Sequence, residues 1–396
     1  MNPSSSGWIN KYVFILKQHK NNFVAVDDER SFYSRLRENG FIYGYSRSPI
    51  DSQVTSEYNF TDYELAKVNL LHSFFYYYFQ FYPKKDYSDC IVSILDFYQE
   101  ILPKKSSFFP SLTGKKSASH QLEIIFSTRI LKGQSLEKFR FGKIMTNALL
   151  FVDIIAFKKF LERKENLTSY IDLVEYNIIH SCFLALQSKE NKNDDDMQLL
   201  ELFYQSDTLI SNQRTANTQE SRLLLTQIEK WYLLDLVTLA VRNDLQTDKT
   251  EEKFLTAFSR QLNLEESDAK SAMDSIKKFV EKHQFNIQLF KYKYPVKEFY
   301  EQSSKTVTLL ILRNKKRLIK EIAQSKDLVV LLGKSTYSDL NNDEKKMVKS
   351  QLLAICKAVP SLTIFLLPGG SLLLPLLVKF IPELLPSAFQ DNKIPK

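Results

Sequence analysis

Glycine is scarce in this chain, at 9 of 396 residues, about a third of the ~7% usual in proteins. So little glycine leaves no material for phosphate-cradling loops, propeller blades or runs of tight hairpins, and it disfavours a dinucleotide-binding α/β enzyme. Cysteine is also sparse. Cys90, Cys182 and Cys356 are widely spaced and odd in number, which excludes a disulfide framework and a metal knuckle alike. The stretch Met1-Asn2-Pro3-Ser4-Ser5-Ser6 has neither a basic nor an apolar region of the secretory type, so a reducing, cytosol-facing location is expected. The sequons at Asn59 and Asn166 then carry no weight.

The motifs of common enzymes are missing too. Gly333-Lys334-Ser335 follows an apolar run and imitates the end of a phosphate loop, but the first glycine of that motif falls on Leu328. The histidines (His19, His72, His120, His180 and His283) are scattered, with no i, i+4 pair to gather a metal. No Gly-x-Ser-x-Gly elbow occurs. His180 and Cys182 are close in sequence only, because neighbouring helical residues point in different directions. The expectation is a non-enzymatic protein with no cofactor and no small-molecule substrate.

What the chain does have is charge in one place. Residues 291–357 hold 15 Lys or Arg against 7 Asp or Glu, so the formal net charge of +8 is entirely local. Directly after Lys357 come 21 residues without a charge, Ala358 to Val378, closed by Lys379. A basic stretch abutting an uncharged one of that length is the arrangement of the positive-inside rule, with the basic side cytoplasmic. The competing reading is a solvated basic face beside a buried core hairpin.

The rest reads as helices. Residues 6–38 form two, ending at the cap pair Asn39-Gly40. Thr61-Asp62-Tyr63-Glu64 is a capping box that opens a helix running to Pro83. Within it, eight of the nine residues from Phe74 to Tyr82 are aromatic. Such a run is too short to span a bilayer, so it is expected in the core. Further helices are expected over 88–102, 119–131, 143–165 and 167–189, with Asp194-Asp195-Asp196 as a helix N-terminal charge cluster. No strand pattern of useful length interrupts them. The fold class is therefore all-α, with an N-terminal helical domain (1–190), a middle helical domain (191–290) and a basic neck leading into a Pro/Gly-broken hydrophobic segment (291–396).

Two family resemblances refine this. In the middle, Asp244 in an inter-helix turn, Glu251 seven positions later and the step Leu262-Asn263-Leu264 resemble the TerB-like helical domain of tellurite-resistance proteins. Leu245 stands where that family has glycine, and two carboxylates are fewer than the ~6 to 8 oxygens calcium takes. Asp244 and Glu251 are thus the metal candidates, and no bound metal is expected.

The second resemblance is at the carboxyl-terminal end. Leu373-Leu374-Pro375, Lys379 four residues after that proline, Pro382, and Leu385-Pro386-Ser387 followed by Phe389 reproduce, without gaps, the signature of the leucine-zipper, EF-hand-containing transmembrane (LETM) family. Pro360 and Pro368-Gly369-Gly370 precede it. The resemblance implies an inner-membrane protein with a membrane segment at this motif, a ribosome-binding-like helical domain, and a link to cation/proton exchange and translation. Seven residues follow Phe389, so the family's coiled coils and EF-hand have no counterpart in this sequence.

As one helix the 21 uncharged residues would extend ~31 Å, close to the ~30 Å hydrocarbon core. Pro368-Gly369-Gly370 breaks that helix, and a break inside lipid must be buried against protein or water, which points to a homo-oligomer, a re-entrant segment or an interfacial hairpin. Upstream, Arg313, Lys315, Lys316, Arg317 and Lys320 form a cationic helix edge that suits a ribosome or anionic lipid, while Leu310, Ile311, Leu318, Ile319 and Ile322 turn inward. The expectation is a membrane-associated protein, its N-terminal bulk facing the cytoplasm, that binds a partner such as the ribosome. The alternatives are a component of a cation/proton exchange system and a soluble helical scaffold.

Overall fold

The structure, a computed structural model, describes residues 1–19, 28–55, 59–102, 117–132, 148–164, 166–189, 192, 196–197, 200, 225–241, 249–283, 311, 314–334 and 341–356. Among them every regular element is helical and no strand occurs, so the chain is all-α as its glycine-poor, strand-free sequence implies. In chain order the helices are α1 (Trp8–Gln18), α2 (Glu29–Glu38), α3 (Asp62–Phe81), α4 (Tyr87–Ile101), α5 (Ala118–Lys132), α6 (Leu150–Leu161), α7 (Leu167–Gln187), α8 (Gln227–Val241), α9 (Lys249–Gln261), α10 (Glu266–His283), α11 (Lys315–Gln324), α12 (Lys326–Lys334) and α13 (Asn342–Cys356).

Local chemistry starts α3 and α4 and stops α2 where the sequence signals it, whereas α6, expected to run to 165, ends at Leu161, with Arg163 beyond it in the left-handed region at φ +56°. The capping box of α3 is complete: the Glu64 amide donates to Thr61 Oγ1 at 3.3 Å, and the Thr61 amide donates to Glu64 Oε2 at 2.8 Å. Asp86 caps α4 through the amides of Ser88 and Asp89. Helix α2 ends at Asn39, and Gly40 follows with φ +83°, a left-handed angle at which a side chain is strained.

Helix α3 is buried around almost its whole circumference from Glu64 to Phe79, which is why its aromatic run exceeds one stripe. The Phe74 ring alone meets Phe97, Tyr98, Phe126 and Phe157 at centroid distances of 5.0 to 6.1 Å, drawn from α4, α5 and α6. Each such ring contributes about 1.5–3 kcal/mol by leaving water. The expectation that this run is core holds from Phe74 to Phe79, while Phe81, near the end of the helix, is exposed.

Helix α8 is likewise buried on all sides, against α7, α10, α9 and α2. One continuous apolar core therefore runs from Trp8 to Val280, and helices on both sides of the division expected near residue 190 contribute to it. A second, smaller cluster lies apart from it. Helices α11, α12 and α13 pack on one another around Leu318, Ile322, Leu328, Leu332, Val348, Leu352 and Ile355. Among the described residues no helix is long and apolar enough to cross a membrane. The uncharged stretch 358–378 lies outside the described residues.

Candidate functional site

The basic neck becomes a three-helix unit. Helix α11 buries Leu318 and Ile322 to 1% exposure against α12 and α13, which turns its other side outward. Lys316 and Lys320 are exposed there, and Lys315 and Arg317 are half-exposed. Ser325, which separates α11 from α12, donates through Oγ to Gln351 Oε1 of α13 at 2.8 Å. Lys334 Nζ reaches Glu344 Oε1 at 2.6 Å, and that hydrogen bond holds the Glu344 carboxyl below its usual range. The first contact attaches the end of the basic helix to α13, and the second attaches α12 to it.

The charge on α11 is arranged against its own dipole. Lys315, Lys316 and Arg317 occupy the first turn, with no acidic residue there and no basic residue in the last turn. Partial positive charge accumulates at that end of a helix, so each cation there is disfavoured by about 0.3–1 kcal/mol when exposed. Other helices obey the rule, with Asp62 and Glu64 opening α3, Glu266 and Asp268 opening α10, and Asp343 and Glu344 opening α13. Among the described residues Lys316, Arg317 and Lys320 have no ion-pair partner.

A contact absent from any local pattern joins this unit to the main body. Asn314, directly before α11, is buried, and its Oδ1 accepts from Ser5 Oγ at 2.6 Å and from Asn2 Nδ2 at 3.5 Å. The flanking serines reach elsewhere. Ser4 Oγ donates to Glu64 Oε1 at 2.6 Å, and Ser6 Oγ lies 2.9 Å from His120 Nδ1. Nothing but tertiary structure brings residues 309 positions apart together.

Ser6, His120 and Glu123 look at first like a nucleophile, base and acid, but the geometry is wrong. Ser6 Oγ and Glu123 Oε2 both approach the same ring nitrogen, Nδ1, at 2.9 and 3.5 Å, so no proton can be relayed across the imidazole. The Glu123 carboxylate instead accepts from the amides of Gly7 and Ile9 and serves as the cap of α1.

The remaining candidates divide. Arg313, Asp244 and the whole terminal motif (Pro360, Leu373, Leu374, Pro375, Lys379, Pro382, Leu385, Pro386, Ser387 and Phe389) lie outside the described residues, as do Leu310, Asp194 and Asp195. Glu251 is buried, with its carboxylate 3.6 Å from Lys189 Nζ, and the same ammonium lies 3.2 Å from Asp196. A lysine thus stands where a cation held by Glu251 would sit. Burial pushes the Cys182 thiol up, and His180 stacks on Tyr176 rather than approaching the sulfur as a base.

Sequence reading missed a recurrent device in the main core. Asp153 accepts from Tyr98 Oη at 2.9 Å and from both Nε and Nη2 of Arg129; Asp235 accepts from Tyr33 Oη at 2.5 Å and Arg37 Nε at 2.8 Å. Glu29, less buried, accepts from Tyr77 Oη at 3.0 Å and Lys158 Nζ at 2.5 Å. In each case a tyrosine and a cation share one carboxylate; at Asp235 the second oxygen, Oδ1, has no hydrogen-bond partner, and burial raises that carboxyl above its ordinary range. The tyrosines of the aromatic-rich helices were the available signal, but which acid each one meets is a matter of packing.

The geometry defines an all-helical protein with a tightly cross-linked body and a small cationic three-helix unit ahead of an apolar, proline-rich end. Residues 340–395 match the family model described as LETM1-like, RBD, the ribosome-binding-domain class. The matched segment contains α13 and the whole Leu373–Phe389 signature, and it begins after α11 and α12. No curated protein and no solved structure matches the chain.

Proposed function

We propose that this chain is a LETM1-like ribosome-binding protein of the membrane surface, without catalytic activity of its own. The match over 340–395 carries the reading. It is supported by the basic unit that α11 and α12 build onto α13, and by the 21 uncharged residues that follow. On this reading the body of residues 1–283 faces the cytoplasm, 314–356 meets the ribosome, and the terminal apolar segment attaches the chain to the bilayer.

Two measurements test it. The full chain, solubilised in non-ionic detergent, is expected to cosediment with purified ribosomes at low salt. In cells it is expected to pellet with membranes and to remain there through a carbonate wash, whereas truncation after Lys357 releases it as a folded helical protein. A full chain that stays in the supernatant with ribosomes at every salt concentration would remove the ribosome from the reading. A truncated chain that is unfolded would show the terminus to be core.

A further inference from the structure

We infer that the outward edge of α11, formed by Lys316, Arg317 and Lys320, binds the phosphate backbone of RNA. This inference rests on the ribosome-binding reading and gives that binding its chemistry, contact with ribosomal RNA rather than with a ribosomal protein or a lipid surface.

Three observations carry it. First, the cations are unmatched: among the described residues Lys316, Arg317 and Lys320 lack an ion pair, whereas Lys334 of the neighbouring α12 is neutralised by Glu344. Second, the helix retains a charge order that opposes its dipole, with Lys315, Lys316 and Arg317 in the first turn and no acid among them. Isolated, that order is a cost; beside a polyanion, the amino-terminal end of the dipole and the three cations all attract the same ligand. Third, the apolar side of α11 is already used. A helix that binds a bilayer lays its apolar face into the lipid, but Leu318 and Ile322 are sealed against α12 and α13. What α11 offers to a partner is charge without an inserting face, and this suits a solvated polyanion over a membrane. Lys316 and Lys320 are spaced i, i+4 on one side with Arg317 beside them, so all three can meet one backbone.

The test uses the full chain in non-ionic detergent, with protein-free ribosomal RNA as the probe, followed by fluorescence anisotropy across a salt series. Binding is expected to weaken as salt rises, with a log–log slope of about −2 to −3 for three phosphate contacts. The triple variant Lys316→Glu, Arg317→Glu, Lys320→Glu is expected to weaken RNA binding at least tenfold with unchanged helical circular dichroism, while Lys316→Arg, Lys320→Arg retains it. Mixed micelles of the same detergent with phosphatidylglycerol, and with phosphatidylcholine, serve as the second probe. If the triple variant binds RNA as the parent does, or if it loses a preference for the phosphatidylglycerol micelles while RNA binding is absent throughout, the inference is overturned. If intact ribosomes still bind the triple variant at parental affinity, the inference falls and the ribosome-binding reading stands. If the parent binds neither ribosomes nor RNA, both fall.

Discussion

Ser5 Oγ donates to Asn314 Oδ1 at 2.6 Å, tying the start of the basic unit to the opening segment of the chain across 309 positions. The acceptor is buried directly before α11, so the bond fixes where that helix begins relative to the main body. Removing the hydroxyl in Ser5→Ala deletes a hydrogen bond worth about 1 kcal/mol. Amide hydrogen exchange in the first turn of α11 is expected to accelerate about fivefold, with α3 and α8 unchanged. Equal protection in parent and variant would show that the tie contributes nothing.

Arg129 and Tyr98 both serve Asp153, which is fully buried. Arg129→Met leaves that carboxylate without its cation and is expected to cost about 3–5 kcal/mol in urea unfolding. Tyr98→Phe removes one neutral donor and is expected to cost about 1–2 kcal/mol. Combining Arg129→Met with Asp153→Leu should restore part of the loss, because the fully buried carboxylate is gone and only the partly exposed Glu175, 3.8 Å from Arg129, is left without its cation.

Burial drives the His72 imidazole from its ordinary 6.5 down to about 3, and its Nδ1 lies 2.7 Å from Tyr12 Oη. The unfolded chain takes up this proton first, so the histidine's contribution is complete above pH 6.5 and is lost as pH falls from 6.5 toward 3. Between these limits it adds up to about 1.4 kcal/mol per pH unit to the slope. The dependence of unfolding free energy on pH from 6.5 to 4 is expected to flatten by about one proton in His72→Gln. An unchanged slope would mean that His72 is protonated in the folded state.

Gly40 has φ +83°, and a Cβ there would stand 2.4 Å from the Tyr45 carbonyl oxygen and from Phe279 Cε2 of α10. Gly40→Ala therefore combines a left-handed angle with a backbone collision that no rotamer relieves. A loss of at least about 2 kcal/mol in thermal or urea unfolding is expected, from strain of the kind held in sparsely populated backbone regions. A variant within 0.5 kcal/mol of the parent, the range of ordinary surface changes, would mean that the Asn39–Tyr45 turn relaxes freely.

The helices were legible in the sequence because their causes are local. A capping box, an Asx cap and the periodicity of apolar residues act over a few positions, so α3, α4, α5 and α7 begin and end close to where their residues say. The aromatic run at 74–82 was readable as core for a similar reason, since a helix apolar on every side has to be enclosed. The cationic edge of α11 was also apparent, because charge is a property of composition.

Partnership was not legible. Which acid meets Tyr98 or Tyr33, that Lys189 stands against Glu251, and that Ser5 reaches Asn314 depend on helix crossings that bring distant positions within 3 to 4 Å, and no short-range pattern encodes a crossing. An all-helical chain, a local excess of positive charge and the proline signature near its end follow from residue order alone. That the inward side of α11 is covered by α12 and α13 follows from packing. Burial is a property of what lies opposite a surface, so the same amphipathic sequence is a lipid-binding helix when that side is open and a purely cationic edge when it is closed.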